Sequence, residues 1–147
     1  MTVNVDLKAA STAYQNAQAE LSKLVTSRQK FESQLTENLA VKTEFDQLPE
    51  STDDSSPSEA RYVYKLIANV LIKQDTAEAK TNVNRRIEFL KAEQSKVDEK
   101  ISALQKQMET QKMELIHLQS QLQQHQATAQ SRPDVPITGP PKVALSS

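Results

Sequence analysis

Apolar residues recur every three or four positions along two long stretches of this chain, and for one short stretch between them the rhythm changes. In the first, residues 6–48, the repeat runs Leu7, Ala10, Tyr14, Ala17, Leu21, Leu24, Arg28, Phe31, Leu35, Asn38, Lys42, Phe45. In the second, residues 76–126, it runs Val83, Ile87, Leu90, Gln94, Val97, Ile101, Leu104, Met108, Gln111, Leu115, Leu118, Leu122, His125. Spacing that averages 3.5 residues keeps an apolar seam on one side of a helix and predicts two helices wound into a coiled coil. Asp6 is the expected cap of the first helix, and Pro49 ends it. Asp75, with Glu78 three residues on, forms a capping box for the second. Near the end of the first helix Leu39 and Val41 compete for the seam, so its last turns are expected to supercoil irregularly. The polar seam residues Arg28, Asn38, Lys42, Gln94 and Gln111 are expected to fix register at some loss of stability.

Between the helices, residues 61–74 read as two β-strands around a tight turn at Ala68-Asn69. Strand alternation places Val63, Tyr64, Leu66, Ile67, Val70, Leu71 and Ile72 on both faces of this ribbon. Two strands alone are marginal in water, so these residues are expected to be covered by strands of other chains. The expected fold class is mainly α, with two long helices forming an antiparallel coiled coil joined by a single β-hairpin. Pairing within one molecule sets Phe45 near Val83, Leu21 near Met108, Tyr14 near Leu115 and Leu7 near Leu122. Roughly 50 residues of helix at about 1.5 Å each predict a rod of some 75 Å whose two chain ends meet at its tip.

Composition narrows the function classes. One Gly in 147 residues favours long uninterrupted elements, and 37% apolar with 4% aromatic content is thin for a globular core. Balanced charge, 18 basic against 19 acidic residues, provides no positive field for a nucleic-acid backbone. No stretch has the length and apolarity of a membrane span, and the absence of Cys suits a reducing compartment, so the expected protein is cytoplasmic, with no nucleic-acid or membrane partner. Residues 49–60 are acidic and hydroxyl-rich and read as a solvated loop; the acidic residues three positions after Ser51 and Ser56 are too common a pattern to mark a kinase site. Four prolines in residues 131–147 read as a disordered tail beyond a working domain of residues 1–130.

Catalytic parts are missing from the pattern. His117 and His125 lie eight apart on the second helix, whereas chelation on adjacent turns needs four, and they read as surface imidazoles. There is no Cys nucleophile, Gly-rich phosphate loop or Gly-flanked Ser, and Arg85-Arg86 reads as a solvated face. Neither an enzyme nor a bound cofactor or metal is expected.

Residues 62–90 resemble the β-class subunits of prefoldin. The distinctive words are Val63-Tyr64-Lys65-Leu66-Ile67 for the first strand, Val70-Leu71-Ile72-Lys73-Gln74 for the second, and Glu78-Ala79-Lys80 leading to Arg86-Ile87-Glu88-Phe89. The likeness extends over Leu7 to Gln126, and it departs from the family at the hairpin turn, where Gly-Pro is usual and this chain has Ala68-Asn69. The resemblance implies a hetero-hexamer with other α- and β-class subunits, its strands pooled in an inter-subunit β-barrel. It also implies ATP-independent capture of unfolded polypeptides, notably actin and tubulin, and their delivery to the cytosolic group II chaperonin. Client binding then falls to the coiled-coil tip, Leu7, Ala10, Tyr14, Leu115, Leu118 and Leu122, and subunit assembly to the hairpin residues named above. Two other readings compete: a structural coiled-coil adaptor and a membrane tether, both without chaperone activity. The first leaves the hairpin unexplained, and the second needs a basic face opposite bulky apolar residues, which neither helix has.

Overall fold

A computed structural model describes residues 2–48, 62–131 and Gly139. The expected acidic loop 49–60 and the tail beyond Ser131, Gly139 apart, lie outside the described residues. The chain order is α1 (Thr2–Asp46), β1 (Val63–Ile67), β2 (Val70–Gln74) and α2 (Thr76–Gln130). Two compact units are formed, Asn16–Met108 and the paired ends Met1–Gln15 with Glu109–Ser147.

In the unit Asn16–Met108 the helices lie antiparallel, held by two polar links. Arg28 Nε donates to Asp98 Oδ1 at 2.6 Å, and Lys80 Nζ donates to the carbonyl of Leu48 at 3.2 Å. Lys80 thereby satisfies a carbonyl just past the C-terminal end of α1, where a cation is also favoured by the helix dipole. Phe45 and Val83 line one narrow crevice with Lys42, Asp46, Lys80 and Asn84, the register that the seam pattern requires. Ala17, Ile87, Leu90 and Val97 are buried here, and the Leu90 side chain is only 1% exposed.

The seam follows the expected positions closely. Every one of the twelve expected α1 residues is half-buried or buried, as are the α2 residues from Val83 to Leu122. Most are only half-buried because a single partner helix covers one side. His125 departs from this pattern and is exposed. Leu39 and Val41 are also exposed, so they do not compete: the stripe continues undisturbed through Asn38, Lys42 and Phe45. Among the polar seam residues, Arg28 reaches across to the partner helix. Asn38 Nδ2 instead donates to the Gln34 carbonyl at 2.7 Å, and Lys42 pairs with Asp46 at 2.6 Å, so neither of these bonds sets register. The Gln111 Oε1 atom is buried without a hydrogen-bond partner.

Helix ends show one expected cap and one correction. Asp75 Oδ2 accepts from the Glu78 N–H at 3.1 Å and opens α2. Asp6 does not cap α1, because α1 already begins at Thr2 and places Asp6 inside it.

The hairpin pairs Val63 with Gln74, Tyr64 with Lys73, Lys65 with Ile72, Leu66 with Leu71 and Ile67 with Val70. Its central turn residues are therefore Ala68 and Asn69. Ala68 has φ 52° and is the one described non-glycine residue with positive φ. Positive φ at the first central position alone is the pattern of a type II′ turn, whose twist matches that of the flanking strands. The left-handed residue is thus Ala68 rather than Asn69. This turn also reconciles the chain with Gly-Pro: Gly suits the positive φ, and the fixed negative φ of Pro suits the position after it.

Two expected outcomes follow from this packing. Leu90→Ala leaves a void beside the seam and lowers the unfolding free energy by about 2–5 kcal/mol in urea titrations followed by circular dichroism. Ala68→Gly removes the left-handed strain on a Cβ and stabilises the hairpin by about 0.5–1 kcal/mol, read as roughly two- to fivefold slower amide exchange in β1 and β2. Unchanged exchange contradicts the turn assignment.

Candidate functional site

Cross-strand pairs share a face, so the register sorts the hairpin residues into two sides. One side carries Tyr62, Tyr64, Leu66, Leu71 and Lys73, and the other Val63, Lys65, Ile67, Val70, Ile72 and Gln74. Lys73 Nζ sits 3.7 Å over the ring centroid of Tyr62, a diagonal cation–π contact that stiffens the base of the first side. Of the seven residues expected to serve assembly, Val63 is buried, and the other six are 43% to 66% exposed. They are distributed over both faces, with Leu66 opposite Leu71 and Ile67 opposite Val70. Each strand also has one edge with no strand beside it among the described residues. An apolar ribbon open on two faces and two edges is unfit for water by itself.

The second surface belongs to the unit formed by the chain ends. Leu7, Ala10, Tyr14, Leu115, Leu118 and Leu122, the residues expected at the tip, all lie in this unit and are half-buried. An open cleft lined by Thr2, Val3, Asn4, Val5, Lys8, Leu122 and His125 shows that the start of α1 runs beside the end of α2. The more exposed apolar side chains here are others: Val5, Met113 at 64% and Ile116. Sequence reasoning passed over them because they fall off the seam. Their signal was present, since Met113 and Ile116 are three apart on the outward face of α2, where a helix pair normally carries polar residues.

Charge chemistry is sparse. His117 shares a 3.0 Å hydrogen bond with Gln121, and no three His, Asp or Glu side chains gather into a metal-binding cluster among the described residues. Arg28 has its pKa raised, first by its hydrogen bond to Asp98, then by the charges of Asp98 and Glu32. Arginine is a cation at neutral pH in any case, and the bridge serves structure. No described helix is long and apolar enough to cross a membrane.

Residues 9–122 match the family model described as Prefoldin subunit. This chain belongs to the prefoldin subunit family. Prefoldin subunit 6 of Saccharomyces cerevisiae is 42% identical over 105 residues, which cover 71% of this chain and 84% of that protein. Human prefoldin subunit 6 is 37% identical, over 82% of this chain and 86% of its own length. Among solved structures, the crystal structure of the prefoldin beta subunit from Thermococcus strain KS-1 aligns with a TM-score of 0.49 at 22% identity, covering 82% of this chain and 91% of that one. Prefoldin subunits are chaperone subunits that assemble with other prefoldin subunits, and this chain is a chaperone subunit of that kind. In the prefoldin context the hairpin and the paired chain ends each carry exposed apolar groups.

Proposed function

We propose that this chain is a β-class subunit of a cytoplasmic hetero-hexameric prefoldin that holds unfolded polypeptides without ATP and passes them to the group II chaperonin. Actin and tubulin are the clients this reading favours. The observation that carries it is the hairpin, whose apolar residues lie open on both faces; in this reading strands of α- and β-class neighbours cover them. Residues 1–130 are the working unit in this reading, and residues 131–147 a tail outside it. Clients are held at the unit of paired chain ends, where Leu7, Ala10, Tyr14, Leu115, Leu118 and Leu122 form a half-covered apolar seam. Val5, Met113 and Ile116 extend that surface outward. Each buried contact with a client is worth on the order of 1–3 kcal/mol, so several subunits acting on one polypeptide give useful affinity and still permit release. A coiled-coil adaptor without chaperone activity is the second reading, but it gives the exposed strands nothing to pair with.

Placing a carboxylate on the shared sheet by Leu71→Asp is expected to abolish entry into the hexamer while the chain keeps its helicity, as read by native mass and circular dichroism. A variant complex of normal mass refutes the assembly assignment. Replacing Val5, Met113 and Ile116 together by Ser is expected to leave hexamer mass unchanged and to weaken suppression of client aggregation in part, since other subunits also contribute. Undiminished protection across several clients removes these side chains from client binding.

A further inference from the structure

The chain has six aromatic residues, three Tyr and three Phe. Tyr14, Phe31 and Phe45 are half-buried in the seam, whereas Tyr62 and Tyr64 are exposed on the hairpin and Phe89 is exposed on α2. Phe89 is the one that neither surface described above explains. At 55% exposure it stands between the buried residues Ile87 and Leu90 and points away from the seam they form.

The antiparallel register identifies which flank it occupies. The Leu48–Lys80 and Arg28–Asp98 links bring Val41 of α1 level with Arg86 of α2. Val41 lies seven residues after half-buried Gln34, and Arg86 seven before half-buried Glu93, so all four mark one flank of the helix pair. Phe89, three residues beyond Arg86, lies on the same side, and Arg85 is four before it, one helical turn away. Val41 is exposed as well, and neither Arg85 nor Arg86 makes an ion pair among the described residues. A single exposed apolar residue is ordinary. An exposed Phe with Val and two uncommitted guanidinium groups has the composition of a protein–protein contact.

Its position argues for a neighbouring subunit over a client. The flank belongs to the same compact unit as the hairpin, and α2 begins only one residue after β2, which places Phe89 within about 20 Å of helix from the strands. A chain that pairs with either hairpin edge must bring its own helices into that region. Strand pairing through main-chain hydrogen bonds also discriminates poorly among partners, and selectivity has to come from side chains nearby.

We propose that the Val41–Phe89 flank is a second subunit contact that selects the neighbour. It fits the helical base of an adjoining prefoldin-family subunit that sets an apolar side chain against Phe89 and carboxylates against Arg85 and Arg86. The proposal rests on the reading of the hairpin as the assembly element.

The test uses the full chain assembled with its α- and β-class partner subunits. A photo-reactive benzoylphenylalanine at position 89 is expected to cross-link to an adjoining subunit; adducts to client alone, or none in a complex of full mass, overturn the proposal. Phe89→Ser and the double variant Arg85→Glu, Arg86→Glu are each expected to raise the concentration at which the complex dissociates by about tenfold. The isolated chains should melt as the parent does, because these side chains are exposed. Parental dissociation, or a loss of helicity in isolated Phe89→Ser, overturns the proposal. Leu71→Asp separates the two readings: assembly that survives it sinks the hairpin reading, whereas assembly lost there but untouched by the flank variants sinks the flank alone.

Discussion

The structure turns on a ribbon of two five-residue strands that the described residues of its own chain leave largely exposed. A sheet gains stability when its faces are packed and its edges paired, and here most apolar side chains of both faces remain in solvent. The helices cannot supply the cover, since each has one apolar stripe and spends it on the other helix. In the proposed function this unmet demand of the hairpin is what assembly with other subunits satisfies.

Around the hairpin, the chain is arranged to hold the helix pair in one register. The most complete burial lies at Leu90, Ile87 and Ala17, in the unit that also contains the hairpin. Lys80 ties the start of α2 to the Leu48 carbonyl just past the end of α1, Asp75 caps α2 directly after β2, and Arg28 reaches Asp98 farther along. These links are exposed or part-buried, and individually they add little to stability. Their value is positional: they keep a narrow seam from sliding by a turn, which apolar contact alone resists weakly because it is non-directional.

The unit of chain ends meets a different requirement. The proposed holding of unfolded polypeptides calls for apolar surface without a shaped pocket, and a half-covered seam flanked by Val5, Met113 and Ile116 has that character. Methionine suits such a surface because its unbranched, polarizable side chain adapts to varied partners. Weak contacts at one subunit become useful only through multiplicity, so in the proposed function assembly at the hairpin and client binding at the chain ends depend on each other.

Much of this was legible in the sequence because its controlling signals are local or periodic. The heptad positions, the Asp75 cap and the hairpin register each depend on residues a few positions apart, and the structure places them as the pattern demands. Other features depend on what lies alongside a residue, and the pattern cannot supply that. Leu39 and Val41 are as apolar as seam residues, but their angular position leaves them in solvent, and α1 begins four residues before the carboxylate that resembled its cap. The tight turn at Ala68-Asn69 was readable, but its type was not: the structure puts the positive φ on Ala68. By itself, then, the sequence determined two seamed helices and a ribbon between them, since periodicity is written along one dimension. Only the tertiary structure decided how deeply each apolar side chain is covered, Leu90 at 1% exposure against the half-buried Leu104 and Leu115, because depth of cover is set by the neighbour across the helix pair, which the order of residues does not name.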